Sequence, residues 1–370
     1  MAEKTGALHY FLGANTPQGF VSRYDQLGNA EEGWRCYVIK GGPGSGKSTL
    51  MKKLAEAVAD KEPDMELIHC SSDHNSLDGI ILPRSRVAVA DGTPPHTIEP
   101  KFPGAYEVTV PLFGCWQDDL LEQNRSEIIA LSRSIGSTHE YCVRFLSAAG
   151  SLLGDTYRMA LEVTDKAKIN RYAAAFSGRE LGKPKEYRPT DQARFLSAIT
   201  DTGSVLFEQT AQRLADRIIF IEDEWGAASR LLLSAIRAQA LKAGFRVVSC
   251  YCPLAPFDKL DHLFIPEAGV GLMTANRFHH LGVTPLRTIH ARRFCDAESL
   301  KQRRKRIAFN SRAAAQMLEQ AAALMKDAKL LHDRLEDYYR GAMDFGKVDE
   351  LTDFYLGKIL SRVEESHAGV

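Results

Sequence analysis

Residues 36–51 read Cys-Tyr-Val-Ile-Lys-Gly-Gly-Pro-Gly-Ser-Gly-Lys-Ser-Thr-Leu-Met. Four strand-forming residues, Cys36 to Ile39, run into Gly41-x-x-x-x-Gly46-Lys47-Ser48, and an amphipathic helix follows. That is a phosphate-binding loop (P-loop, or Walker A motif) in its strand–loop–helix setting. Glycines let the backbone wrap an anion with its N–H groups turned inward. The expected cradle is Gly41, Gly42, Pro43, Gly44, Ser45, Gly46, Lys47, Ser48 and Thr49. The helix starting near Lys47 adds free N–H groups and the positive end of its dipole. Lys47 is expected on the β- and γ-phosphates and the Ser48 hydroxyl on Mg2+, with ATP or GTP as the ligand.

Upstream, His9 onward reads as a short strand, Thr16-Pro17-Gln18-Gly19 as a turn and residues 20–28 as a helix. Downstream come a helix to about Asp60 and strands at Glu66–Cys70, Val87–Asp91 and Tyr106–Leu112. Residues 118–176 are helical in pattern, with breaks expected near Gly136, Gly150 and Thr164. Asp91 reads either as a Walker B aspartate serving Mg2+ or as the carboxylate of an Asp91-Gly92 turn. Gly92 stands where motor-type ATPases commonly carry a glutamate, so a base must come from elsewhere. Asp73, at the end of the second strand, is a candidate water-orienting group or an ordinary loop residue. His74 and His96 read as solvated loop histidines, and Arg84 and Arg86 as a phosphate clamp or a plain exposed pair.

The second half repeats this plan. Phe11-Leu-Gly-Ala-Asn-Thr returns as Phe195-Leu-Ser-Ala-Ile-Thr, Cys-Tyr-Val-Ile-Lys40 as Ile-Ile-Phe-Ile-Glu222, and Leu77-Asp-Gly-Ile-Ile-Leu-Pro83 as Leu260-Asp-His-Leu-Phe-Ile-Pro266. A nearly constant shift of 182–184 positions marks a duplicated unit. Residues 1–178 and 193–370 are the expected copies, with 179–192 as linker. Opposite the glycine loop the second copy has Asp223-Glu-Trp-Gly-Ala-Ala-Ser-Arg230, with Ser229 in place of Lys47, and Thr274 stands opposite Asp91. Glu222, Asp223 and Glu224 should repel a triphosphate, which makes this a pseudo-site. An Arg from the second copy, Arg217 or Arg230 for instance, could complete the first site. The expected fold is α/β: two tandem domains, each a mainly parallel sheet with helices on both faces and a helical C-terminal part.

Of 370 residues 44% are hydrophobic and 25% charged, with formal net charge zero, so no overall field gathers nucleic acid or an anionic membrane. No apolar run suits a signal peptide or a membrane span, and seven cysteines without a Cys-x-x-Cys pair suit a reduced cytoplasmic protein. Cys250 and Cys252 share a strand face, as a metal or redox pair or as buried strand cysteines. Lys301-Gln-Arg-Arg-Lys-Arg306 is the strongest charge run; without interleaved aromatics it reads as a solvated helix face. Residues 297–341 read as one long helix or a hairpin, and the apolar positions around Met317 to Leu335 as packing. The helical segments 118–176 and 297–362 are candidate contacts for a protein partner.

The chain resembles a bacterial family of tandem P-loop proteins described as predicted ATPases or nucleotide kinases. The resemblance rests on Phe11-Leu-Gly-Ala-Asn-Thr-Pro-Gln-Gly19, Lys40–Thr49, Ser76-Leu-Asp-Gly79, Val89-Ala-Asp-Gly-Thr-Pro-Pro-His96 and Pro103-Gly104. It implies a purine triphosphate with Mg2+ and names no reaction. Relatives can carry a second glycine-rich Lys-Ser loop, from which this chain departs at residues 223–230. Three functions follow: an ATPase or switch working in the first copy, a nucleotide or small-metabolite kinase, and a nucleotide-gated binding protein.

Overall fold

A computed structural model describes residues 6–184, 186–279 and 281–368. Positions 1–5, position 185 of the expected linker, and the end of the second copy at 369–370 lie outside the described residues. The first copy contains β1 (Leu8–Tyr10), the hairpin β2 (Gly13–Thr16) and β3 (Gly19–Ser22), β4 (Arg35–Lys40), α1 (Lys47–Val58), β5 (Glu66–His69), β6 (Leu77–Leu82), β7 (Val87–Asp91), β8 (Glu107–Pro111), α2 (Asp118–Gln123), α3 (Arg125–Leu161) and α4 (Lys166–Glu180). The second contains β9 (Thr190–Arg194), the hairpin β10 (Ser197–Thr200) and β11 (Gly203–Leu206), α5 (Glu208–Leu214), β12 (Arg217–Glu222), α6 (Ala227–Ala243), β13 (Arg246–Cys252), β14 (Ala255–Ile265), β15 (Val270–Ala275), β16 (Arg287–His290), α7 (Ala297–Ala342) and α8 (Phe345–Ala368).

Each copy builds one six-stranded sheet, in the orders β1-β5-β6-β7-β4-β8 and β9-β13-β14-β15-β12-β16. Matching strands occupy matching places, and the directions match too. In both sheets the third strand runs antiparallel to its two neighbours and the other pairs are parallel. The sheets are therefore mixed, where mainly parallel ones were expected. The difference is β6, hidden in the sequence between the strands at 66–70 and 87–91. Residues 20–28 form β3 and a short 3-10 turn, Tyr24–Gln26, in place of the expected helix. α3 runs unbroken through Gly136 and Gly150, and α7 is one continuous helix.

Helices on both faces were expected; the long helices of each sheet lie on one face, and the second face meets the other sheet, with Ala211 and Leu214 of the short α5 in the same core. Along β4, Cys36 and Val38 join a core with Met273, Phe264 and Ile218 of the second sheet, while Tyr37 and Ile39 pack with Leu50, Met51 and Leu54 of α1. Strands buried on both faces need continuous apolar runs, and these have them. The terminal helices are exchanged. Ile359 and Val363 of α8 enter the first copy's core beside α1, and Ile169, Ala173 and Phe176 of α4 enter the second copy's core beside α6. Each of the buried Ile, Val and Phe side chains contributes about 1.5–3 kcal/mol, so the helices tie the copies together. α3 and α7 run antiparallel along each other, with Cys142 and Leu146 against Ala321 and Met325, and Asn310 bonded to Asp155.

At the junction, Phe11 and Phe195 exchange two backbone hydrogen bonds, 2.9 and 3.0 Å. Beside them His69 Nδ1 donates to the His74 carbonyl at 2.6 Å, so neutral His69 accepts at Nε2 from His9 Nδ1, 2.8 Å away. Burial holds the His69 imidazole down at about 4, against an ordinary 6.5. An unfolded chain takes up this proton between pH 6.5 and 4 while the folded one does not, so stability should fall as pH falls across that window, by about 3 kcal/mol for this residue. Urea midpoints from pH 7 to 4 should slope less steeply in His69→Gln; equal slopes would remove His69 from the account.

Candidate nucleotide site

The loop after β4 lies at the sheet end where β4, β5 and β7 finish and β6 starts, with β4 between β7 and β8. In such sheets ligands bind outside the carboxyl ends of the strands, where connections diverge. Gly46, at φ 86°, is the N-cap of α1, a left-handed conformation that leaves the first helical N–H groups open. Gly42 meets a different demand: a Cβ there would come within 2.7 Å of the Tyr339 ring on α7.

Lys47 opens α1 and folds back across the loop, donating from Nζ to the carbonyls of Gly41 (3.1 Å) and Gly42 (2.8 Å). Its ammonium also lies 3.6 Å from Asp91 Oδ2, at the end of the neighbouring parallel strand. The Ser48 hydroxyl accepts from the Leu77 N–H (2.9 Å), and Ser45 Oγ donates to the Gly42 carbonyl. Asp91 is buried, and this pushes its carboxyl above the ordinary value; Lys47 and the Thr93 hydroxyl and N–H pull the other way. Lys47, Ser48 and Asp91 are thus brought together. Thr49 of the expected cradle is exposed on α1.

Asp73 lies on the loop after β5, accepting from the Asn75 N–H and Ser76 Oγ, both 3.1 Å, with Lys329 of α7 at 3.6 Å. His96 is not solvated. It is 7% exposed and its Nε2 sits 3.0 Å from Asp78 Oδ2. His74 is half-buried, 3.7 Å from Asp201 of the second copy. Arg84 pairs with Asp64, and Arg86 donates to the Glu32 carbonyl, which commits both to contacts outside the loop.

What sequence reasoning missed is the place of α7. Lys329, Glu336 and Arg340 stand seven and four residues apart, with Tyr339 beside Arg340, and this side of the helix lies over Asp73 and the loop. The Arg340 side chain would lie 3.0 Å from a Cβ at Gly44, and its guanidinium is 3.6 Å from Glu336. The expected finger candidates serve the second copy: Arg217 pairs with Glu180 at 2.6 Å, and Arg230 lies over the Tyr157 ring and pairs with Asp258. A signal was available. Tyr157-Arg158 on α3 and Tyr339-Arg340 on α7 stand 182 positions apart, the shift of the duplication.

In the second copy, Gly226 at φ 74° caps α6 as Gly46 caps α1. The anion in this cradle is the protein's own. The Asp223 carboxylate, 1% exposed, accepts N–H bonds from Trp225 and Gly226 (3.0 Å each) and Ser229 (2.8 Å). Asp223 replaces Gly41, so occupation by an internal carboxylate adds to the repulsion read from the sequence. Beside it a cavity of about 340 Å³ opens between α3, α7 and the end of the second sheet.

In the 301–306 run, Arg303 pairs with Glu162 and Arg306 with Asp155, both α3-side partners, and Lys301 lies 3.6 Å from Glu298. Cys250 and Cys252 are buried and free. Among the described residues no helix is long and apolar enough to cross a membrane. Comparison with protein-family models, curated proteins and solved structures gave no match to this chain.

Proposed function

We propose that the first copy binds ATP or GTP with Mg2+ and hydrolyses it or switches with it, while the second copy is a non-binding pseudo-domain. The observation that carries this is Lys47 at the head of α1, directly after a left-handed Gly46 and 3.6 Å from a strand-end carboxylate, Asp91. In this P-loop reading the loop N–H groups hold phosphate oxygens, and Lys47 leaves the Gly41 and Gly42 carbonyls for the β- and γ-phosphates. Ser48 and Asp91 would hold the Mg2+, which neutralises charge on the transferring phosphoryl group. Phosphoryl transfer is mostly positioning and charge stabilisation, so these groups suffice for most of it. Asp73 is the candidate for orienting water, with Lys329 holding its carboxylate.

Arg340 takes the role of a finger supplied by the other copy. Arg340→Ala should lower turnover about 30-fold, the worth of one charge-assisted contact of about 2 kcal/mol, and change affinity less than about threefold. Equal losses in affinity and turnover would assign Arg340 to binding instead. Incubating purified protein with MgATP or MgGTP decides the reaction: diphosphate release in water alone means hydrolase, and release only with an added nucleoside, nucleotide or alcohol means kinase. Absence of nucleotide binding would overturn the proposal.

One observation favours switching. α7 covers the glycine loop near Tyr339 and Arg340, and upstream its Ala315, Leu318 and Ala322 line the second copy's cavity. A nucleotide that displaced α7 would reshape that cavity.

A further inference from the structure

The Cys70 sulfur, a carboxylate oxygen of Asp78 and a ring nitrogen of His96 lie within 4.8 Å of one another. They come from three elements at one sheet end: the residue after β5, the second residue of β6 and the loop after β7. Asp78 and His96 are buried, and His96 Nδ1 is buried without a hydrogen-bond partner. One sulfur, one oxygen and one nitrogen donor form a set that suits a tetrahedral, borderline-soft dication better than Mg2+ or Ca2+. Ligands about 2.0–2.3 Å from such an ion are about 3.5 Å apart, so no pair needs to close by more than roughly 1 Å, and His96 Nε2 and Asp78 Oδ2 already stand 3.0 Å apart.

The second copy supplies the independent observation. At 182 or 183 positions' distance the same three residue types recur as Cys252, Asp261 and His279. There a lysine ammonium sits among them: Lys259 Nζ is 2.7 Å from Asp261 Oδ1 and 3.4 Å from Cys252 Sγ, and His279 Nε2 is 3.5 Å from Asp261 Oδ2. Lys259 stands where the first copy has Ser76, whose hydroxyl turns away to Asp73. In the second copy the trio is thus built around a lysine ammonium, and the matching position of the first copy holds the uncharged Ser76.

We propose that Cys70, Asp78 and His96 bind a thiophilic divalent transition-metal ion, zinc fitting best, at a site whose counterpart in the second copy is filled by Lys259. Three protein donors leave the ion a fourth position for water or another ligand. Binding turns the Cys70 thiol into a thiolate and releases its proton. Burial and the Asp78 carboxylate keep that thiol protonated otherwise, and a dication reverses the balance. The site goes beyond the nucleotide reading and needs no nucleotide.

The test uses tag-free, chelator-treated full chain without nucleotide, titrated with Zn2+ by calorimetry and with Co2+ by absorption. One equivalent should bind, with a thiolate-to-cobalt charge-transfer band. Cys70→Ser, near-isosteric and checked for unchanged unfolding without metal, should lose the band and bind zinc at least tenfold more weakly. Lys259→Ser should raise the stoichiometry to two, and adding Cys252→Ser should return it to one. A wild type with no thiolate band, a Cys70→Ser variant binding zinc normally, or a Lys259→Ser variant that stays at one equivalent would each overturn the proposal.

Discussion

Lys47→Ala is expected to weaken MgATP or MgGTP binding by about 10²–10⁴-fold, while Ser229→Ala at the matching place in the second copy changes nothing. Lys47 offers two charge-assisted hydrogen bonds to phosphate oxygens, each worth about 1.5–3 kcal/mol, and together about 3–5 kcal/mol. The lysine is already aimed for this: its Nζ lies over the loop, held by two carbonyls and Asp91. Removing it also takes the Lys47 ammonium away from buried Asp91, and burial drives that carboxyl toward its protonated form. A loss of fold could therefore imitate a loss of affinity. Calorimetric titration should accordingly be paired with thermal unfolding in the absence of nucleotide, where Lys47→Ala should stay close to wild type. Unchanged affinity in a folded Lys47→Ala protein would refute the site assignment.

The glycine loop was legible because its demands are local: a strand, a left-handed residue before a helix, a lysine at the helix start. The repeat was legible because one shift relates residues about 180 positions apart, and the two sheets agree strand by strand. β6 was missed because Asp78-Gly79 inside Leu77–Leu82 reads as a turn, and a strand buried on both faces has no polar–apolar alternation to outweigh that signal. For the same reason Cys36 and Tyr37 gave no hint that one faces a sheet and the other a helix. His96 was read as solvated because it sits in a loop, but this loop is sealed against Phe20, Tyr24 and Asp78. Arg340 lies about 300 positions from the loop it covers, and only the exchange of helices between copies brings it there.

Asp223 marks the limit of counting charges. The sequence showed three adjacent carboxylates and suggested repulsion; the fold gives one of them three N–H donors. Asp223→Ala is expected to destabilise the protein by about 3–5 kcal/mol, since each buried donor left unsatisfied costs about 1–3 kcal/mol and part of that is relieved by water. Asp223→Asn keeps an acceptor and should cost about 1–2 kcal/mol. The variants separate a cap from an anion site. If the cradle keeps its geometry, inorganic phosphate should restore part of the stability of Asp223→Ala and do nothing comparable for the wild type, whose cradle is filled. Phosphate also strengthens folding generally by exclusion from protein surfaces, so the measure is the difference between variant and wild type in urea midpoints at matched ionic strength. ATP should do no better than phosphate there, because Ser229 offers no ammonium to the outer phosphates. Equal responses of variant and wild type would mean that the second loop collapses without its carboxylate. Asp223 would then be part of the fold's support and not a substitute for a lost ligand.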